Sequence, residues 1–339
     1  MRRLLPGALY ERYWHTKRSL RNLLDTALVL AGRLPADPVT PMLDSRLYDD
    51  SSPDSSHFPA GVICICDGSF HHGGTTDRLR GILSSYAIAR ARKIPFFISW
   101  THPFLLEGYL VPAEVDWRIK PEEISRSRKV SRMVVVDDLS DFQSALRLRA
   151  AFRSRKKQLH LYTNADTSRG SYSRLFSELF RPSEALARQI ERHRRALRPV
   201  YHAFSFRFLT LLGDFKDVET QSLSPEEQEA LMSRVREELK RMIEDVPSDA
   251  SILLASDSAR FLEYVRDLDR RIYICDGEIR HLDRDPEATE DSVMRTFVDQ
   301  FLLMGASRVT LMRTGGMYRS GFPRFAAEVG GAEFIDHRF

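Results

Sequence analysis

The chain has little cysteine: three residues in 339, Cys64, Cys66 and Cys275, which cannot build a disulfide framework. Cys64 and Cys66 stand two apart in an apolar run, so they share one face of a buried strand and read as small core hydrophobes rather than redox or metal ligands. No stretch approaches the roughly 18 uncharged apolar residues that a membrane span requires. Glu11, Arg12, His15, Lys17 and Arg18 interrupt any signal-peptide core, and the expected location is cytoplasmic. No internal repeat is visible. Neither sign of charge dominates, since 51 basic against 47 acidic residues leave +4, and nucleic acid is not an expected partner. There is no phosphate-binding Gly-Lys-Ser/Thr loop and no G-x-G-x-x-G. The Asp-x-Asp pairs at Asp267/Asp269 and Asp283/Asp285 read as chance in acidic loops, and the histidines lack ligand spacing, so no metal site is expected.

What is present is the composition of a globular chain, with 42% hydrophobic and 29% charged residues, long enough for two domains with a core each. The charge is small in total but uneven. Residues 1–35 carry Arg2, Arg3, Arg12, Lys17, Arg18, Arg21 and Arg33 against Glu11 and Asp25, with Trp14 and many leucines interleaved. This basic amphipathic pattern fits peripheral contact with the inner face of an anionic membrane. It equally fits a helix packed on the protein with its basic side in water. Residues 36–59, rich in Pro, Asp and Ser, read as a linker or surface loop, which sets residues 1–59 apart.

From residue 60 the pattern is α/β. The apolar run 61–66 leads through a polar loop into an amphipathic helix at 77–92, followed by a strand at 94–100 and apolar segments at 133–136 and 159–162. The spacing predicts one helix over 171–197, ended by Arg198-Pro199, and this divides a domain at 60–198 from one at 199–339. The second half has a capping box with proline at its first helical position, Ser224-Pro225-Glu226-Glu227, and a stripe of Leu231, Val235, Leu239 and Met242. Strands are expected at 251–255, 272–275 and 308–312, and a helix at 290–304. Strands alternating with helices imply mostly parallel sheets. The expected fold is α/β, two Rossmann-like domains facing a cleft, with ligands beyond the carboxyl ends of the strands.

Four segments could carry chemistry. The first, His71-His-Gly-Gly-Thr-Thr-Asp-Arg-Leu-Arg-Gly81, lies between a strand and a helix; Gly73 and Gly74 would let the backbone approach an anion at the helix start, or form a plain tight turn capped by Asp77. The second, 201–215, places Arg207 among apolar residues. A buried arginine needs an anion, either a carboxylate such as Asp214 or Asp217 or a diphosphate matched to its fork. In the third, 253–261, Ser256, Asp257 and Ser258 can cap a helix or meet a nucleotide. The fourth, 313–325, brings Ser320 and glycines to another helix start, as a phosphate-facing nest or a structural loop.

In this order the segments resemble a family of bacterial fucosyltransferase-like proteins, related more distantly to the α1,6- and protein O-fucosyltransferases of GT-B fold. The resemblance rests on His72-Gly-Gly-x-x-Asp-Arg-Leu-Arg80, Phe206-Arg-Phe-x-x-Leu-Leu-Gly-Asp214, Ser256-Asp-Ser258 and Gly316-Met-Tyr-x-Ser-Gly-Phe322, and covers most of residues 60–339. It implies that Arg207 holds the donor diphosphate, that Ser256, Asp257, Ser258, Ser320, Gly321 and Phe322 hold the nucleotide, and that Gly73, Gly74 and Arg78 line the cleft. The family carries His two residues before this arginine; here that position is Ser205, and His202 lies five before. The implied activity is inverting, metal-independent transfer from a GDP-sugar, foremost GDP-fucose, to a glycan hydroxyl, with no cofactor and with Asp77 or His72 as the base. Two other classes remain open: another phosphate-anchored transferase such as a sulfotransferase, and a non-catalytic nucleotide- or membrane-binding member of the fold.

Overall fold

The computed structural model describes residues 39–137, 141–168, 170–216, 222–282 and 289–339, with isolated positions between 23 and 31. The pattern read over 1–35 lies outside the described residues apart from those positions, as do Asp217, Asp283 and Asp285. The chain divides into two compact units, one reaching to His102 and including Trp117–Ser168, the other made of Pro103–Asp116 and Arg169–Phe339. No helix among the described residues is long and apolar enough to cross a membrane.

The first unit contains helix α1 (Val39–Leu47), strand β1 (Gly61–Cys66), α2 (Thr75–Ala91), β2 (Phe96–Trp100), β3 (Ser131–Val136), α3 (Asp141–Ala151) and β4 (Gln158–Thr163). Its sheet has the order β2-β1-β4-β3 and is parallel throughout. All six residues of β1 are buried, Cys64 and Cys66 among them, as befits an inner strand of a parallel sheet covered on both faces.

Of residues 36–59, read as a linker or surface loop, the described part holds a helix at Val39–Leu47 and then a mostly exposed loop, both tied to the first unit. Thr40 Oγ1 accepts the Val135 N–H at 2.9 Å, Arg128 binds the Asp44 carboxylate at 2.6 Å, and Asp49 bridges to Ser127. Leu43 and Tyr48 enter a core cluster with Ile63, Ile65, Met133, Val135 and Tyr162. An edge strand exposes unpaired backbone groups, and this segment covers those of β3. Its aspartates serve turns rather than flexibility: Asp49 and Asp54 accept the N–H groups of Ser51 and Ser56, each at 2.9 Å.

The second unit contains α4 (Tyr172–Leu179), α5 (Glu184–Arg194), β5 (Tyr201–Phe206), α6 (Pro225–Glu244), β6 (Ser251–Ser256), α7 (Ala259–Val265), β7 (Ile272–Ile274), α8 (Glu290–Met304), β8 (Arg308–Arg313), α9 (Phe322–Gly330) and β9 (Glu333–Arg338). The sheet order is β9-β8-β5-β6-β7, again parallel. The single helix expected over 171–197 is two helices. Pro182 lacks an N–H and cannot continue a helix; Phe180–Pro182 instead pairs antiparallel with Leu110–Pro112, and Ser183 caps α5 by accepting the Leu186 N–H at 3.3 Å. Both helices belong to the second unit, with Phe176 of α4 against Phe301 and Phe325, so that unit takes up the chain before Arg198-Pro199. The capping box at Ser224 is present in both directions. The buried stripe of α6 is Met232, Val235, Leu239 and Ile243, with Leu231 and Met242 half-buried beside it.

Candidate functional site

In the second sheet β8, β5 and β6 are neighbours, so their carboxyl ends bring together three of the four segments singled out in the sequence. Arg207 follows β5 directly. Its Nε lies 3.4 Å from Asp257 Oδ2, and its side chain is 24% exposed against 2% for the aspartate. The guanidinium also stacks over Phe215, 4.6 Å from the ring centre. Asp257 is thus a carboxylate partner of Arg207, while Asp217 lies outside the described residues. Asp257 accepts the N–H groups of Phe208 and Leu209 at 2.8 and 2.7 Å, and Leu209 takes a left-handed φ of 55°, uncommon for a leucine. Burial pushes the Asp257 carboxyl up, against the pull of Arg207 and the two N–H groups. The aspartate thus fixes the turn that carries Arg207.

Ser258 is fully buried. It caps α7 by accepting the Phe261 N–H at 3.1 Å and donates to Asp214 at 2.8 Å. Ser256 accepts the Ser258 N–H at 3.1 Å. After β8, the Tyr318 N–H donates to the Arg207 carbonyl at 2.9 Å, which ties the fourth segment to the second. Ser320 Oγ accepts the Phe322 N–H at 3.3 Å, and Gly321 is the N-cap of α9. The result is a partly exposed guanidinium at the carboxyl edge of the sheet, a feature that favours a phosphate.

The remaining segment follows β1 in the first unit. Gly73 has φ 75°, and a Cβ there would meet Asp77 Oδ2 at 2.5 Å. Asp77 accepts the Gly74 N–H at 3.0 Å and pairs with Arg80, which also reaches Asp166 at 3.3 Å. His72 is 1% exposed and stacks on Tyr162; its Nδ1 lies 3.4 Å from the Thr163 carbonyl, while its buried Nε2 has no hydrogen-bond partner among the described residues. Burial, and then the charge of Arg78, pull its pKa down to about 4, so the ring is neutral near pH 7. Arg78, 4% exposed, donates to the His102 carbonyl at 2.8 Å and stacks over Trp100. Gly81 permits close packing: a Cβ would fall 2.1 Å from the Thr163 carbonyl oxygen.

Beneath this loop lies a polar network that sequence reasoning missed. Asp67, just after β1, accepts from Ser69 N–H at 3.0 Å, Tyr162 Oη at 3.0 Å and Arg126 at 3.1 Å. Arg126 also donates to Tyr48 and Tyr162, and Tyr48 Oη meets His160 Nδ1 at 2.6 Å. Burial works to raise the Asp67 pKa, and the bonds from Ser69, Tyr162 and Arg126 outweigh it, so the net direction is down. These residues come from distant parts of the chain, one of them in the segment read as linker, so no local spacing could have announced them. Among the described residues no group of three His, Cys, Asp or Glu is arranged to hold a metal ion; Asp269 is paired with Arg271.

No protein-family model and no curated protein matches the sequence. Solved structures do match. The chain is similar to a NodZ α1,6-fucosyltransferase soaked with GDP-fucose, with TM-score 0.54 and 13% identity over 80% of this chain and 92% of that one. The same enzyme crystallised with GDP gives 0.53 and 14%, over 79% and 91%. A fucosyltransferase NodZ from Bradyrhizobium gives 0.52 and 15%, over 79% and 91%. The fold is fucosyltransferase-like, of the GT-B type. At such identity the likeness concerns the fold, and the residues must argue for the chemistry themselves.

Proposed function

We propose that the chain is a glycosyltransferase that moves a sugar, fucose from GDP-fucose, to a glycan hydroxyl with inversion and without a metal. The observation that carries this reading is Arg207, a cation held at the carboxyl end of the middle strand of the second sheet yet left 24% exposed. Solved neighbours of the fold were crystallised with GDP or soaked with GDP-fucose, and a partly exposed guanidinium suits a diphosphate. In this reading Arg207 grips the diphosphate and the chain around Ser320, Gly321 and Phe322 faces the phosphates. Ser256 lines the same edge, and the buried Asp257 and Ser258 hold these groups in place. As the sugar–phosphate bond breaks, negative charge builds on the departing diphosphate, and the fixed guanidinium stabilises it more than the ground state. In the first unit, Gly73, Gly74 and Arg78 shape the loop on the acceptor side. Of the two candidate bases Asp77 is the accessible one, with 36% of its side chain exposed.

A second reading has its own support. His72 is buried with a pKa near 4, and both carboxylate oxygens of Asp77 are engaged. Ser205 stands where the resembling family has His. A member that binds the nucleotide without transferring the sugar would look like this. The two are separated by following GDP release from GDP-fucose in EDTA, with and without glycan oligosaccharides. The transferase reading requires glycan-dependent release that Arg207→Ala abolishes; GDP binding with no release under any acceptor supports the binder.

A further inference from the structure

We propose that the amino-terminal edge of the first sheet is a docking face for an anionic lipid surface. The inference uses residues of the first unit alone and does not depend on the transferase reading. All four strands of this sheet are parallel, so the loops that enter them share one edge, opposite the glycine loop. Three of these loops carry exposed cations: Arg92 and Lys93 before β2, Lys129 before β3, and Arg153, Arg155 and Lys156 before β4.

The loops are fastened to one another. Arg92 donates to the Phe152 carbonyl at 3.0 Å and stacks over that ring, and Lys156 Nζ donates to the Lys129 carbonyl at 3.3 Å. Across three strand spacings of about 4.8 Å this makes a basic belt on the order of 15 Å long. Cations are expected near the carboxyl ends of α2 and α3, where they complement the helix dipoles. Those of 153–156 and Lys129 lie beyond the helices and have no such account. The carboxylates facing the edge come from residues 39–59 and 122–123, some paired with a cation and some only hydrogen-bonded to N–H groups, which leaves their charge in place. Arg128 takes Asp44 and Asp50, Asp54 accepts from Ser56, and Glu123 caps the turn at Lys120. No acidic residue occurs in 90–95 or 149–157.

A lipid surface is favoured over nucleic acid because the sequence of residues 1–35, in the same unit, carries basic charge interleaved with Trp14 and leucines. That combination suits a headgroup boundary, whereas a polyanion in water calls for charge alone. Strands of six residues, at about 3.3 Å each, would then hold the glycine loop roughly 20 Å from the lipid.

The test is sedimentation of the full chain with mixed phosphatidylglycerol/phosphatidylcholine vesicles and with pure phosphatidylcholine, at low and high salt. The variants are Lys93→Glu/Arg155→Glu/Lys156→Glu and, as a control of equal charge, Arg234→Glu/Lys240→Glu/Arg270→Glu on exposed positions of the second unit. Circular dichroism melts show that each is folded. Wild type should bind the anionic vesicles at low salt only, and the first variant should bind on the order of a hundredfold more weakly. The control variant should stay within a fewfold of wild type. Equal binding by the first variant, an equal loss in the control, or tighter binding to duplex DNA than to vesicles through the same residues would each overturn the proposal.

Discussion

The two loops that leave the middle of each sheet treat their charges in opposite ways. After β1 the ionisable groups close on one another: Asp67 with Arg126 and two tyrosines, Asp77 with Arg80 and a backbone N–H. Yet those carboxylates stay partly exposed, 18% for Asp67 and 36% for Asp77, whereas after β5 the carboxylate is 2% exposed and its cation 24%. A carboxylate in contact with water repels an incoming anion, while burying the acidic partner leaves the cation's attraction at the surface. The comparison assigns shape to the first loop and grip to the second, and it can be broken at several points.

The largest effect is expected from Asp257→Ala. The change strands two buried N–H groups and removes the carboxylate beside Arg207, so stability should fall by about 3–5 kcal/mol, measured by urea unfolding. A loss below about 1 kcal/mol would mean that Asp257 does not hold the turn. Next is Arg207→Lys, which keeps the charge but loses the fork. We expect roughly a hundredfold loss of turnover, about 3 kcal/mol, falling on kcat, with the melting temperature little changed. An unstable Lys variant that turns over normally when folded would make Arg207 structural.

In the first unit, Gly81→Ala drives a Cβ into the Thr163 carbonyl and should cost about 1–3 kcal/mol without altering GDP affinity. A matching loss of affinity would show that the first loop grips nucleotide too. The most gradual effect is a pH slope. The folded pKa of His72, near 4, lies below its unfolded value of about 6.5. The unfolded chain therefore binds the proton first, and the stability due to a neutral His72 is present above about pH 6.5. It is lost as pH falls toward 4, by at most roughly 2–3 kcal/mol. His72→Phe keeps the stacked ring and should flatten the urea midpoint between pH 7 and 4.5. An unchanged slope would place the acid sensitivity elsewhere, His160 being the next group to test.

Much of the fold was legible because it is written locally. The run 61–66, the capping box at Ser224 and the helix 290–304 carry period, cap and punctuation in adjacent residues, and each is an element of the structure. Pro182 was a local signal too, and the apolar spacing of 171–197 concealed it. Within the segment read as a linker or surface loop, the helix Val39–Leu47 went unseen because its neighbours are Pro and Asp, while its attachment through Leu43, Tyr48 and Thr40 is tertiary. The same limit applies to the site. Arg207 and the Ser256–Ser258 turn could be singled out in sequence, but not that Asp257 is a partner of Arg207. That pairing depends on β5 and β6 being neighbours. The Asp67–Arg126–Tyr48 network depends on still longer connections.

The central claim is that the carboxyl edge of the second sheet grips a nucleoside diphosphate through Arg207. Calorimetric titration in EDTA tests it most directly, with GDP and UDP against wild type and Arg207→Lys, each first shown to melt alike. The account expects GDP to bind wild type without divalent metal and in preference to UDP, and the Lys variant to bind at least tenfold more weakly. GDP binding that is unchanged in the Lys variant, or UDP bound in place of GDP, would contradict it.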